Sequence, residues 1–499
     1  MTALVAGAGL AAALVAGLRW LRVAQREHYL TGSVIRFAPR WWWAGGRNRA
    51  LLTTAVLASV GAAAWPPVAL WTAAAAVVGP VGLGLRGRTA PLRWTPRARR
   101  LAGGYVVACV VVALAGAAAW PPAAAVVALA SPALMDAALA LARPLEARLA
   151  RTWVDQARRR LGEVAPTVVA ITGSYGKTST KEYVRHLLSG SFAVVASPAS
   201  FNNALGLART INGTLTAGTE VLVAEMGAYG RGEIASLCEW IPPTVSVITA
   251  VGPVHLERFG SLDAIADAKA EILAGAQVAV VNADQPHLGE RVGHREGQRV
   301  IRCSTTDRDA DVLAVRHGGE VVVEVSGDRI GAAPPQAFPM NLACAVGVGV
   351  ALGVPLDRLG AALRTVPSVE HRRQFVRTAG GVTVIDDTYN ANPAGAADAL
   401  EALRAASGQR RVLVTPGLVE LGRRQHAENA ALARRAAGVV SDLVVVGRTN
   451  RRAIVQGALG GAAVVRLVPT REAAVAWVRQ NLVAGDAVLY ENDLPDHFP

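Results

Sequence analysis

Acidic side chains are nearly missing from the first 150 residues, where Glu27, Asp136 and Glu146 stand alone against 15 arginines and no lysine. That balance of +12 accounts for most of the formal +14 of the chain, so the remainder carries only +2. The isoelectric point near 10.5 therefore marks no nucleic-acid surface on the rest of the chain. Cysteine is scarce as well. Cys109, Cys238, Cys303 and Cys344 have neither metal-type nor paired spacing, which excludes a zinc ribbon and a disulfide framework and suits reduced core thiols of a cytoplasmic domain.

What is abundant is apolar sequence. At 52% hydrophobic residues and a mean hydropathy of +0.32, the chain is too apolar for an average soluble enzyme. Apolar runs occupy about 2–18, 50–85 and 101–142, and the segments between them hold Arg19 to Arg49 and Arg86 to Arg100. Arginine-rich flanks place those segments on the cytoplasmic side, so the second and third runs must each cross and return. The sequence GAAAWPP occurs at 61–67 and again at 116–122; tandem proline breaks a helix, and both turns are free of charge, as expected outside the cell. The expectation is a membrane arm over 1–150 of about five transmembrane or re-entrant helices, in a multi-pass protein of the cell membrane whose other domains are cytoplasmic. Segment 2–18 lacks the basic leading region of a cleaved signal peptide. Trp41 to Trp43, among arginines, read as an interfacial anchor. Charged residues are almost absent from the spans apart from Asp136, which argues against a transporter or signalling protein that couples ATP to its helices.

After residue 150 the pattern changes to short β-branched runs, TVVAIT, EVLVAEMG, VSVITAVG and VAVVNADQ, alternating with amphipathic stretches. This predicts an α/β fold with a parallel sheet. The first run leads into ITGSYGKTSTK, residues 171–181, and then into the helical KEYVRHLL. The stretch resembles G-x-x-x-x-G-K-[ST], but Ile171 stands where that motif has its first glycine. A loop between strand and helix offers free N–H groups and a helix dipole to phosphate. Gly173, Ser174, Gly176, Lys177, Thr178 and Ser179 are the expected ATP contacts, with Lys177 on the β and γ phosphates and Thr178 on Mg2+.

Several motifs in order carry a family resemblance: the shortened loop, SPASFNNALGLA, VAEMGAYGRGEI, VHLERFGSLDAIADAKAEIL, VNADQP, HRRQFVR and VIDDTYNANP. From about Thr167 onward the chain resembles the Mur ligase family, ATP-dependent amide-forming enzymes of cell-wall synthesis, and most of all its D-alanyl-D-alanine-adding branch. The resemblance implies a P-loop-containing central domain over 151–368 and a Rossmann-like domain over 369–499. It implies Glu225 as a magnesium carboxylate, His255 beside a second metal, and Lys269 as a lysine that many members carry carbamylated. Arg372 and Asp387 match residues that close over ATP, and Tyr389, Asn390 and Asn392 fall beside them. Asn202 and Asn203 are substrate or phosphate contacts on this reading, and Asn341 keeps one asparagine of a nucleotide-binding pattern in which Met340 and Cys344 replace the other polar residues.

The resemblance further implies that ATP and Mg2+ activate a carboxylate as an acyl phosphate, which an amino acid or peptide amine then attacks. Lys177, His255, Lys269 and Arg372 are the candidate catalytic residues. The family's soluble members begin with a domain that holds a UDP-sugar, and here the membrane arm stands in its place. A lipid-linked or polymeric carboxylate acceptor is the expectation this raises, with D-alanyl-D-alanine addition to a UDP-linked muramyl peptide as the alternative. No nucleic-acid partner is expected.

Overall fold

The computed structural model describes the whole chain except residues 1, 86–90, 121–122, 199–200, 290, 293–296, 370–373, 389–390, 407, 493, 495–497 and 499. It divides into two compact units, one of residues 1–149, 447–449 and 494–499, the other of 150–446 and 450–493.

The first unit is helical: Thr2–Arg26, Ser33–Trp42, Gly46–Gly61, Ala69–Val78, Pro96–Ala119, Ala123–Leu129 and the start of Ser131–Val164. Small residues let these helices approach closely. The Tyr105 hydroxyl donates to Ala13 O at 2.7 Å and contacts Ser131 Oγ at 2.9 Å, and a side chain at Gly17 would strike the Tyr105 ring. Asp136 accepts from Gly32 N at 2.9 Å and Ile35 N at 2.7 Å, so this buried acid caps a helix N-terminus, where the dipole favours an anion. Glu146 pairs with Arg97 and Arg100.

Among the described residues, Leu4–Arg26 and Pro96–Gly116 are long and apolar enough to cross a membrane. The other apolar segments of the expected five are shorter. Gly46–Gly61 has 16 residues, about 24 Å against a hydrocarbon core of about 30 Å, and Ala123–Leu129 has seven. The first W-P-P turn breaks the helix as expected, with Trp65 extended and a single 3-10 turn over Pro66–Val68. Pro121 and Pro122 of the second lie outside the described residues. The tryptophan patch is divided: Trp41 and Trp42 are buried against Gly82 and Gly79, while Trp43 alone is exposed, because Ser33–Trp42 turns one face inward.

The second unit holds two sheets. The larger comprises β1 Thr167–Thr172, β2 Val194–Ala196, β3 Val221–Glu225, β4 Val245–Ile248, β5 Val278–Asn282, β6 Arg299–Ser304, β7 Val312–His317, β8 Glu320–Val325 and β9 Asp328–Ala333, in the order β2-β3-β1-β4-β5-β6-β7-β8-β9. Strands β1 to β7 are parallel and β8 and β9 add an antiparallel edge. The four β-branched runs of the sequence are β1, β3, β4 and β5. Their side chains are buried on both faces, under one core with helices Lys177–Leu188 and Pro339–Ala351 and another with Ala204–Thr214 and Leu262–Ala270; this is why they read as unbroken apolar runs. From β1 the chain is laid to one side as β2 and β3, then to the other as β4 and β5. That reversal opens a crevice at the carboxyl ends of β1 and β4.

The smaller sheet comprises β10 Gln374–Arg377, β11 Thr383–Asp387, β12 Arg411–Thr415, β13 Asp442–Val446, β14 Val464–Val468 and β15 Ala487–Glu491, ordered β10-β11-β15-β12-β13-β14. All but β10 run parallel. Helices cover both faces.

Candidate active site

Strand β1 runs through Ile171 to Thr172, and the next helix begins at Lys177. The loop is therefore the four residues 173–176, and Ile171 is a buried strand residue where the longer motif would have its first glycine. Two glycines permit the turn. At Gly173 (φ 151°) a Cβ would lie 2.1 Å from Thr249 Oγ1, and at Gly176 (φ 85°) it would lie 2.4 Å from Asn341 Oδ1. Ser174 N donates to Ala250 O at 2.8 Å, Gly252 N donates to Ser174 Oγ at 3.0 Å, and the Thr249 hydroxyl donates to Tyr175 O at 2.6 Å. The loop is thus clamped to the segment after β4, with its amides at a helix N-terminus, an arrangement made for an anion.

Lys177 Nζ donates to Gly173 O at 2.7 Å. The Thr178 hydroxyl donates to Glu225 Oε2 at 2.9 Å, and Asn202 Nδ2 donates to Glu225 Oε1 at 3.1 Å. Glu225 ends β3 and is buried, so the parallel pairing of β1 and β3 brings it to the loop. Asn203 has a different place: its Oδ1 caps helix Ala204–Thr214 through Gly206 N at 2.9 Å.

Lys177, His255 and Lys269 line one cavity of ≈ 40 Å3 with Asn202 and Tyr229, room for a few waters. His255 Nδ1 is hydrogen-bonded to Glu420 Oε2, and its ring meets Tyr229 edge-on at 4.8 Å. A histidine whose Nδ1–H is held by a carboxylate presents its Nε2 lone pair to an acceptor or metal. Lys269 is buried; burial first, then the charge of Lys177, push its ammonium down to about 7. Near neutrality much of it is a free amine, the form that adds CO2.

Oxygen ligands suit a hard cation, and Thr178 Oγ1 beside the Glu225 carboxylate provides them. Among the described residues no three His, Cys, Asp or Glu side chains gather as a metal site, so a cation here would lean on this pair and on phosphate oxygens.

A second and larger cleft, of ≈ 1210 Å3, adjoins the other side of the loop and is lined by Gly176, Ser179, Asn282, Asn341, Asp387 and Asn392, among others. It joins residues of both sheets. Asn392 Oδ1 accepts from Gly395 N at 2.9 Å as the cap of helix Pro393–Ala405, which leaves its amide nitrogen for a ligand. Arg372, Tyr389 and Asn390 lie outside the described residues.

Sequence reasoning passed over Lys181 and Glu420. Lys181 is fully enclosed with Nζ 3.4 Å from Glu225 Oε2; its signal was a lysine on the apolar face of an amphipathic helix. Nothing local marks Glu420, whose role comes from a contact 165 residues away in sequence.

Comparisons with known proteins agree with this geometry. Residues 171–345 match the model of the Mur ligase middle domain, and residues 371–490 match that of the Mur ligase glutamate ligase domain. The chain is 35% identical over 361 residues to the UDP-N-acetylmuramoyl-tripeptide--D-alanyl-D-alanine ligase of Mycobacterium tuberculosis H37Rv, covering 65% of this chain and 69% of that protein. The enzyme of that name from Escherichia coli K12 is 30% identical over 323 residues, covering 60% and 71%. Among solved structures, MurF ligase from Thermotoga maritima in complex with ADP superposes with a TM-score of 0.61 at 27% identity, over 69% of this chain and 80% of that one. The shortened phosphate loop, the buried acid behind it and two matched domains in order lead to one conclusion: the chain belongs to the Mur ligase family and is an ATP-dependent ligase of the Mur type.

Proposed function

We propose that this enzyme joins D-alanyl-D-alanine, or a related amine, to the carboxylate of a muramyl peptide presented at the membrane, by way of an acyl phosphate. The observation that carries the reading is the gathering of Lys177, His255 and Lys269 on one cavity beneath the phosphate loop, with Thr178 and Glu225 beside it.

In this reaction class the carboxylate takes a phosphoryl group and the amine then displaces phosphate. The loop amides and Lys177 hold the phosphates and offset charge as it develops on the transferring group. Thr178 and Glu225 would hold Mg2+, which when bound neutralises phosphate charge. Lys269, as its carbamate, turns from a cation into an oxygen ligand, and His255, oriented by Glu420, offers a nitrogen beside it. Asp387 and Asn341 serve the nucleotide from the larger cleft, Arg372 is assigned to the nucleotide by the family motif, and Asn202, Tyr389, Asn390 and Asn392 are assigned to the substrate side. Closure of the two sheet domains on each other excludes water that would hydrolyse the intermediate.

The membrane part of the reading rests on two apolar helices long enough to span and on the arginine-rich segments that flank the apolar runs. A second reading of the carboxylate substrate, a UDP-linked muramyl tripeptide, is favoured by the relatives' names. One assay separates them: ADP release with D-alanyl-D-alanine and either a lipid-linked or a UDP-linked muramyl tripeptide. Turnover with the lipid-linked peptide supports the membrane substrate, turnover with the UDP-linked one alone supports the second reading, and ADP release independent of any amine overturns both.

A further inference from the structure

Three neighbouring strands of the smaller sheet end in polar residues that share one face. Asp387 closes β11, Glu491 closes β15 and Thr415 closes β12; β11 and β15 run parallel with Asp387 opposite Glu491, and Val414 pairs with Tyr490 one residue before Thr415 and Glu491. Side chains alternate along a strand. Ile385, Leu489 and Leu413, two residues earlier in each strand, all lie in the core beneath helix Pro393–Ala405, so the three terminal residues point to that side as well. Asp387 lines the large cleft, whereas Glu491 is fully buried behind it.

Glu491 is poorly provided for as an anion. Its Oε2 accepts from the Thr415 hydroxyl at 2.8 Å, and that hydroxyl oxygen in turn accepts from Gly417 N at 2.9 Å. Its Oε1 is buried without a hydrogen-bond partner. The helix packed on this face of β15 buries Ala396, Ala399, Leu400 and Leu403 there, while its Asp398 lines the cleft and its Glu401 pairs with Arg404. Among the described residues no cation of these elements pairs with Glu491, and the neighbouring charge that acts on it is that of Asp387. Two carboxylates side by side on adjacent strands, about 4.8 Å apart at the backbone, cannot both ionise cheaply in a buried place, and one of them keeps a proton.

We propose that Glu491 is a positioning residue for the nucleotide cleft: it carries the proton of an Asp387–Glu491 carboxyl pair and so leaves Asp387 as the one anion of that pair. The Oε1–H of Glu491 is directed across to the Asp387 carboxylate, which satisfies the one and orients the other. On ionisation the proton leaves to solvent, and the pair then sets two negative charges at this wall of the cleft. Burial above all, reinforced by the Asp387 charge and opposed by the Thr415 hydrogen bond, pushes Glu491 up to about 8. The switch therefore falls at mildly alkaline pH.

The proposal rests on the assignment of this cleft to ATP, and the test separates the two. The affinity of a non-hydrolysable ATP analogue for the full-length protein in detergent is measured by calorimetry between about pH 7 and 9, for wild type and Glu491→Gln. An added charge near the phosphates should weaken binding by roughly fivefold or more in wild type across that range, and by less than about twofold in the variant, whose amide keeps the donor. Melting temperatures, taken without nucleotide, read the pair directly. A carboxyl raised in the folded state loses stability as pH climbs from the unfolded value toward the folded one. The advantage of Glu491→Gln over wild type should therefore grow between about pH 5 and 8 and then level off. Equal pH dependence of binding in both proteins, or a melting difference constant over that range, overturns the proposal. Failure of wild type to bind the analogue overturns the cleft assignment and this role with it, while the melting series still decides whether the pair shares a proton.

Discussion

Lys181 Nζ lies 3.4 Å from Glu225 Oε2, with both side chains shut off from solvent. Lys181 stands one helical turn after Thr178, whose hydroxyl binds the same oxygen, so a buried cation and a loop hydroxyl fix one carboxylate from below. Removing one partner of such a pair leaves a buried charge uncompensated, at a cost of about 3–5 kcal/mol. Lys181→Met should lower the free energy of unfolding in urea by that order, and Lys181→Met with Glu225→Gln should recover a large part, because no bare charge remains. Equal loss in the single and double variants would show that the pair does not stabilise the loop.

Lys177→Ala should stop ADP formation yet leave the melting temperature within about 2 °C of wild type, since a partly exposed lysine bonded to its own loop contributes little packing. Unaltered ADP formation would remove the loop from the nucleotide site. Gly176→Ala tests the same loop by shape. Its Cβ would meet Asn341 Oδ1 at 2.4 Å on a backbone with φ 85°, so strain of about 1–3 kcal/mol should appear in unfolding, together with weaker ATP binding.

The contrast between what the sequence disclosed and what it hid has a physical basis. Strands β1, β3, β4 and β5 were legible because both of their faces are buried, and the loop because glycine is forced by close approach. Strands β8 and β9 escaped notice: VVVEV and RIGAA are half-exposed strands at the antiparallel end of the sheet, and β9, its edge, pairs through a hairpin with β8. Strand β15 escaped as well, because its partners β11 and β12 lie about 100 and 75 residues earlier, respectively, and no local pattern points to them. Glu225 was assigned through the family motif, but the donors around it, Asn202 and Lys181, come from other elements and become neighbours only in the folded sheet. Asn203 and Asn392 show the reverse, since a polar residue in a motif can also be a helix cap.

Lys269 gives a pH- and CO2-dependent prediction. With its ammonium pushed down to about 7, the group contributes stability that is present above its unfolded value and is lost as pH falls through about 7. Lys269→Met should therefore stabilise the protein more at about pH 6 than at pH 9. Carbon-13 bicarbonate should give a carbamate resonance in wild type that the variant lacks, and short carboxylic acids should restore part of the activity of Lys269→Ala by supplying an oxygen ligand. No resonance and no rescue would return Lys269 to the role of an ordinary buried lysine.

The last prediction concerns the arm. On the proposed topology the arginine-rich segments with Arg47 and Arg93 lie on the cytoplasmic side and the uncharged turn at Trp65, which is largely exposed, lies on the outer side. Single cysteines at Arg47 and Ala64 report the two sides, in a background where Cys109, Cys238, Cys303 and Cys344 are changed to Ser or Ala. The label at 64 should react with an impermeant maleimide in intact cells, and the label at 47 should react only after permeabilisation. Between the two runs helix Gly46–Gly61, about 24 Å long at 16 residues, which spans a core of about 30 Å only with local thinning or by re-entry. A re-entrant hairpin would protect both positions, since the turn would stop within the lipid, and reaction at 47 alone would reverse the topology and put the ATP-binding unit outside the cell, away from its nucleotide.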